Sequence, residues 1–310
     1  MISSIFGKTK PINYILILSF LFVFYWFTVF ILYSIPYNSN TILLQIVALG
    51  VLLFDIFIIN FIVKRNKITA DHSYTILFFT LLILIFPETL LDNYSIICSF
   101  FLLIALRRLL SIKSLKSIKI KIFDASMWIA IASLFYDWAI LFLILVYITI
   151  YLYNPKNIRN WIVPFIGVAT VFLIASAVFI LINQPEYILN HYKFTVSTTS
   201  EYLLEWRHSL RLLTYIFAIL FLIVLMFIKL SSSGQGRINT MRLINIFFLI
   251  GITITLLNSN HEISPILMTF FPATVFMSNY IETIKKPTIR EIALIASIII
   301  PFIILLIRFI

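Results

Sequence analysis

The sequence predicts an all-α fold: a polytopic transmembrane helical bundle of about 11 spans, some of them short and paired. Three observations predict it. Hydrophobic residues make up 62% of the 310 and charged residues 11%, with a mean hydropathy of +1.09; a soluble domain is nearer ~45–50% apolar and ~25% charged. Apolar runs of helical length alternate with short polar breaks. Lys and Arg gather in alternate breaks, the pattern of the positive-inside rule. A soluble enzyme, a disordered chain, a coiled coil and a disulfide scaffold are thereby excluded. The net charge of +11 reads as attraction to anionic lipid headgroups, not to nucleic acid. Cys98, alone and inside an apolar run, reads as a packing thiol.

The spans follow in order. Lys8 and Lys10 precede the first, about 12–34, which is too long for a typical signal peptide and lacks an A-x-A cleavage site. Span two, about 41–63, ends at Lys64, Arg65 and Lys67. Span three, about 74–90, ends at Pro87-Glu88, and Asp92-Asn93 makes an outer turn. Span four, about 94–106, ends at Arg107-Arg108. The apolar run Phe123–Tyr153 has lysines before it and Lys156 and Arg159 after it. A single crossing would put one cation cluster outside, so two short spans are predicted, about 123–135 and 138–153, with Tyr136-Asp137-Trp138 at the outer turn. Short helices persist where other helices surround them. The remaining spans are about 161–182, 209–230, 243–258, 265–280 and 292–309. All but four of the 23 Lys and Arg then lie inside, with the N-terminus cytoplasmic and the C-terminus periplasmic in a bacterial inner membrane. One integral membrane domain, 1–310, accounts for the chain. Its longest outer loop is 183–208.

Acids favour the predicted outer turns: Glu88, Asp92, Asp137, Glu186, Glu201, Glu205 and Glu262. His191, His208 and His261 lie there too. Acid–base chemistry is therefore expected at the outer face, although short outer turns also tolerate acids without any task, since the rule restricts cations. Asp137, between two aromatics at the tip of two short helices, reads equally as a functional acid and as a turn residue of the aromatic belt. Asp55, deeper in span two, reads as a structural ion pair or interhelical hydrogen bond, with proton relay as the weaker alternative. Glu201, Glu205 and His208 share a helical face by their i, i+4, i+7 spacing. Two carboxylates and an imidazole fit a divalent metal, but Tyr202, Leu203, Trp206 and Leu210 line a neighbouring apolar face. An amphipathic interfacial helix extending to about residue 211 is the preferred reading, and no metal site is assigned. Arg207 and Arg211 at i, i+4 match phosphate oxygens, in a substrate or in a lipid headgroup. Lys113, Lys116, Lys119 and Lys121, alternating with Ile and Leu, read as a basic interfacial helix.

The stretches Ala105-Leu106-Arg107-Arg108-Leu109, Lys121 to Ile129 and Arg159 to Gly167 resemble an uncharacterised family of polytopic bacterial inner-membrane proteins. Phe86-Pro87-Glu88 through Leu106, the short pair around Tyr136-Asp137-Trp138, and His261-Glu262-Ile263-Ser264-Pro265 through Phe271-Pro272 are more loosely similar to the GT-C superfamily of membrane glycosyltransferases. That resemblance implies an acidic base at the outer face and a polyprenyl-phosphate-linked sugar as donor. The sequence departs from it in one place: the first outer loop, Ser34 to Asn40, carries no acid.

Two function classes follow. One is a GT-C-like envelope glycan enzyme or a degenerate relative. There Asp137, Glu88 or Asp92 is the candidate catalytic acid, and Arg207, Arg211 and His261 are candidates for substrate binding. The other is a non-catalytic subunit of an envelope complex with a membrane-protein partner. A transporter is third, because few spans are broken by glycine or proline. Neither a cofactor nor a particular substrate is legible.

Overall fold

A computed structural model describes residues 2–35, 39–194, 206–230, 234–257 and 265–307; at 39–41, 189 and 206–208 only the backbone is described. The described chain is helical and contains no strand. The helices are α1 (Ile2–Phe6), α2 (Pro11–Trp26, continued by a π-helical stretch Phe27–Leu32), α3 (Ser39–Asn66), α4 (Tyr74–Ile85), α5 (Asn93–Leu110), α6 (Ile118–Phe135), α7 (Leu143–Tyr153), α8 (Ile158–Leu181), α9 (Tyr187–His191), α10 (Trp206–Leu230), α11 (Gln235–Leu257), α12 (Phe270–Thr283) and α13 (Pro287–Ile307). Among the described residues, seven helices are long and apolar enough to cross a membrane, and the apolar helices Tyr74–Ile85 and Asp137–Tyr153 are shorter. The chain is therefore a polytopic helical membrane protein, and each predicted span contains a helix.

Short and long helices divide the work of packing. Every residue of α4 from Tyr74 to Leu84 is buried, and α12 is nearly as enclosed. A helix that is apolar all round must be covered all round, and neighbouring helices cover these two. The long helices α8 and α13 lie at the periphery, with only 22% and 11% of their apolar windows buried inside the protein. Their exposed Leu, Ile and Phe face lipid. Gly167 lets α8 approach α6 closely. A Cβ there would lie 2.2 Å from Ser126 Oγ and 3.0 Å from the Phe123 carbonyl oxygen. Small residues at such crossings are the usual means of close helix packing in lipid.

The helices alternate between two ends. The corner end carries three 3₁₀ segments, Pro87–Leu90, Asp137–Phe142 and Pro265–Thr269. The basic end gathers the loops rich in Lys and Arg. α6 leaves the basic end, turns at Asp137–Phe142, and α7 returns to pack beside the Ser111–Ser114 turn, itself bonded to Lys121. The hairpin expected at Tyr136-Asp137-Trp138 is present.

Two expectations are corrected. The lysine run 113–121 is not an interfacial helix. It is a 3₁₀ turn, Ser111–Ser114, then Leu115 and Ser117 in left-handed conformation, then the start of α6. Lys113 Nζ donates to the Asn66 carbonyl at 3.1 Å, and Lys121 Nζ to the Ser111 carbonyl at 2.7 Å, so these lysines hold the turn. Trp206 opens the long helix α10, and most of the interfacial helix expected to extend to about residue 211 lies outside the described residues. Its predicted partners Glu201 and Glu205, and the side chain of His208, lie outside the described residues. Asp55 is 0% exposed, and neither carboxylate oxygen meets a hydrogen-bond partner among the described residues. The expected ion pair or interhelical bond is not formed there.

Candidate functional site

The corner end is assembled from helix starts and stops. Phe86 precedes Pro87, and proline disfavours the α region at the residue before it, so α4 ends at Ile85. Asp92 is the N-cap of α5: Oδ1 accepts from the Ser95 amide at 3.0 Å and Oδ2 from the Ser95 hydroxyl at 2.5 Å. Between them lies Glu88. Its Oε1 receives Arg211 Nη2 at 2.5 Å, while Arg211 Nη1 donates to the Ile85 carbonyl at 3.1 Å. The Arg211 guanidinium also sits 5.0 Å from the centre of the Phe86 ring. Both charged side chains are largely buried, at 14% and 12% exposure.

One turn along the same face of α10, Tyr215 bonds Thr269 Oγ1 at 2.7 Å. Arg211 thus grips the Pro87–Leu90 corner and Tyr215 the Pro265–Thr269 corner. Gly251 brings α11 against the latter; a Cβ there would lie 2.8 Å from Thr269 Cγ2.

The third corner is built differently. Asp137 Oδ1 accepts from the Trp138 amide at 2.8 Å, and its Oδ2 takes no hydrogen bond among the described residues. The chain folds back over this corner after α8. The Tyr192 hydroxyl lies 2.8 Å from Ser133 Oγ, and His191 Nε2 lies 2.8 Å from the Ser133 carbonyl oxygen. Tyr192 also packs on Phe172, and Trp138 on Phe194. Burial, opposed by the Ser133 bond and aided by the Asp137 charge, pushes the Tyr192 phenol up to about 12, so it stays a neutral donor. Asp137 itself is half-buried.

Of the predicted site residues, Glu88 and Arg211 are brought together. Asp92 sits one turn further on as a helix cap, and Asp137 occupies a separate corner. The side chain of Arg207, and His261 altogether, lie outside the described residues. Tyr215, Thr269, Tyr192 and Ser133 escaped the sequence reading, because hydroxyl pairs between distant apolar helices leave no local pattern. Among the described residues, no three metal-ligating side chains cluster.

The basic end holds a second constellation. His72, the one histidine outside the predicted outer turns, is 6% exposed. Its Nδ1 accepts from the Tyr74 amide at 3.3 Å, which places the proton on Nε2, 2.7 Å from Glu282 Oε1. The same carboxylate oxygen accepts from the Ala70 amide at 2.9 Å.

A buried helical bundle with proline-led corners at one end and a basic rim at the other defines a class, the multi-pass membrane proteins. Within it the chain belongs to a family of unknown function, DUF6427, whose model matches residues 11–310. No curated protein and no solved structure matches it.

Proposed function

We propose that the chain is a GT-C-like protein of a bacterial inner membrane that engages a polyprenyl-phosphate-linked sugar at its outer, corner end. Asp137 is the acid that takes up the acceptor proton. The observation that carries this reading is the different engagement of the three candidate acids. Asp92 uses both oxygens on Ser95, and Glu88 is ion-paired to Arg211. Asp137 uses one oxygen on its own turn and keeps the other outside the hydrogen bonds of the described residues. A base must offer a lone pair toward the proton it removes. Glu88 and Arg211 are then positioning residues that hold the corner, and Arg207 and His261 remain candidates for the donor phosphate. Asp137→Asn in the native host, with envelope glycans profiled, tests the reading. Loss of a glycan at normal protein level supports it, and unchanged glycans contradict it.

A second reading, a non-catalytic subunit, is favoured by the pairing of Glu88 and the capping role of Asp92, both of which build the fold. It expects a stoichiometric partner after purification in mild detergent, and a clean monomer contradicts it.

A further inference from the structure

At the basic end, a cavity of about 580 Å³ opens between α1, the loop before α2, the loop before α4, and the facing ends of α12 and α13. We infer that this cavity is a binding site for a phosphate-bearing anion, built around Lys8, Lys10 and Arg290, and independent of the chemistry proposed for the corner end.

The walls are fixed before any ligand arrives. Asn13 Nδ2 donates to the Lys8 carbonyl at 2.8 Å and to Ser73 Oγ at 2.9 Å, which pins the Lys8–Lys10 loop to the start of α4. The Ser73 amide donates to the Phe6 carbonyl. Glu291 receives the amides of Ile2 and Ser3, tying α1 to α13. Glu282, held by His72 and the Ala70 amide, closes the floor. A site held this way loses little conformational freedom on binding.

The charges lining the cavity do not cancel. Three cations, Lys8, Lys10 and Arg290, line it against two acids, Asp71 and Glu282; Asp71 also has Lys64 at 3.4 Å and the Thr9 hydroxyl at 3.1 Å, and Glu282 accepts from His72 and the Ala70 amide. Lys8, Lys10 and Arg290 line the same space with no acid in ion-pair distance among the described residues. Arg290 Nε is a buried donor without an acceptor there. A guanidinium with a buried N–H and two ammonium groups are the donor set that a tetrahedral oxyanion takes. The volume lies within the usual range for small-ligand sites, ~300–1,000 Å³, and exceeds what a lone inorganic ion needs. The ligand is either the headgroup of an anionic phospholipid or a soluble phosphate ester.

Two arms separate these sources. In the first, the full-length protein in nanodiscs of phosphatidylglycerol and phosphatidylcholine is released into the gas phase and its retained lipids counted by mass. In the second, the protein in a neutral detergent is titrated with glycerol 1-phosphate and its thermal transition followed. Preferential retention of phosphatidylglycerol identifies a headgroup site, and stabilisation by glycerol 1-phosphate identifies a soluble ester; either supports the proposal. Lys8→Gln with Lys10→Gln, both on exposed side chains, should weaken the positive arm about tenfold or more, and adding Arg290→Gln should abolish it. Lys116→Gln with Lys119→Gln, on exposed lysines of the same end but away from the cavity, should leave it unchanged. No selectivity in either arm, or equal weakening by the control pair, overturns the site.

Discussion

The two ends of the bundle use charge in opposite ways. At the corner end, Asp92 and Asp137 serve their own turns, and the long-range ion pair between described residues is Glu88 with Arg211, 123 positions apart. At the basic end, acids join elements that lie far apart in the chain: Glu282 reaches His72 across 210 positions, and Glu291 reaches Ile2 across 289. Arg108 pairs with Asp124 between α5 and α6. Cations are so numerous there that pairing every described acid still leaves Lys8, Lys10 and Arg290 around one cavity. At the corner end, Asp137 keeps an oxygen outside the hydrogen bonds of the described residues.

Substitutions that remove a frame contact should rank by burial and by charge. Arg211→Ala is expected to cost most, about 3–5 kcal/mol, because it takes the guanidinium away from the buried Glu88 carboxylate. Chemical denaturation of the purified protein in detergent measures it, and Glu88→Gln on the same background should restore part of the loss. Glu282→Ala is the matching cut at the basic end. It removes bonds to His72 and to the Ala70 amide, so about 1–3 kcal/mol is expected. A larger loss than that of Arg211→Ala would reverse the ranking of the two ends. Asp92→Ala is the smallest, about 0.5–2 kcal/mol, the ordinary loss of an N-cap. A hydrogen-exchange comparison should place its effect in the first turn of α5 alone.

How much of this was legible depended on whether each signal was local. Helix positions were legible because apolar runs and cation clusters are local facts, and the hairpin at Asp137 followed from cations on both sides of one long run. Asp92 as a turn residue was readable from Asp92-Asn93 itself. The Lys113–Lys121 stretch misled, since its spacing of cations and aliphatics suits a helix while Leu115 and Ser117 adopt left-handed backbone that no residue type there announces. Asp55 misled in another way: an acid in an apolar span predicts a partner, yet both oxygens meet none among the described residues. The basic-end cavity was hidden for the same reason as the hydroxyl pairs of Tyr215 and Tyr192. Neither Glu282 nor His72 was singled out from the sequence, and only the packing of α4 against α12 and α13 brings them together.

The account rests on the two ends facing opposite compartments, corners outward and cations inward. Single cysteines at the exposed positions Gln184 and Lys116, on a background where Cys98 is buried and silent, test this in intact cells with a membrane-impermeant maleimide. Gln184→Cys should label at once and Lys116→Cys only after the cells are broken. Labelling of Lys116→Cys in intact cells, with Gln184→Cys protected, would contradict the account.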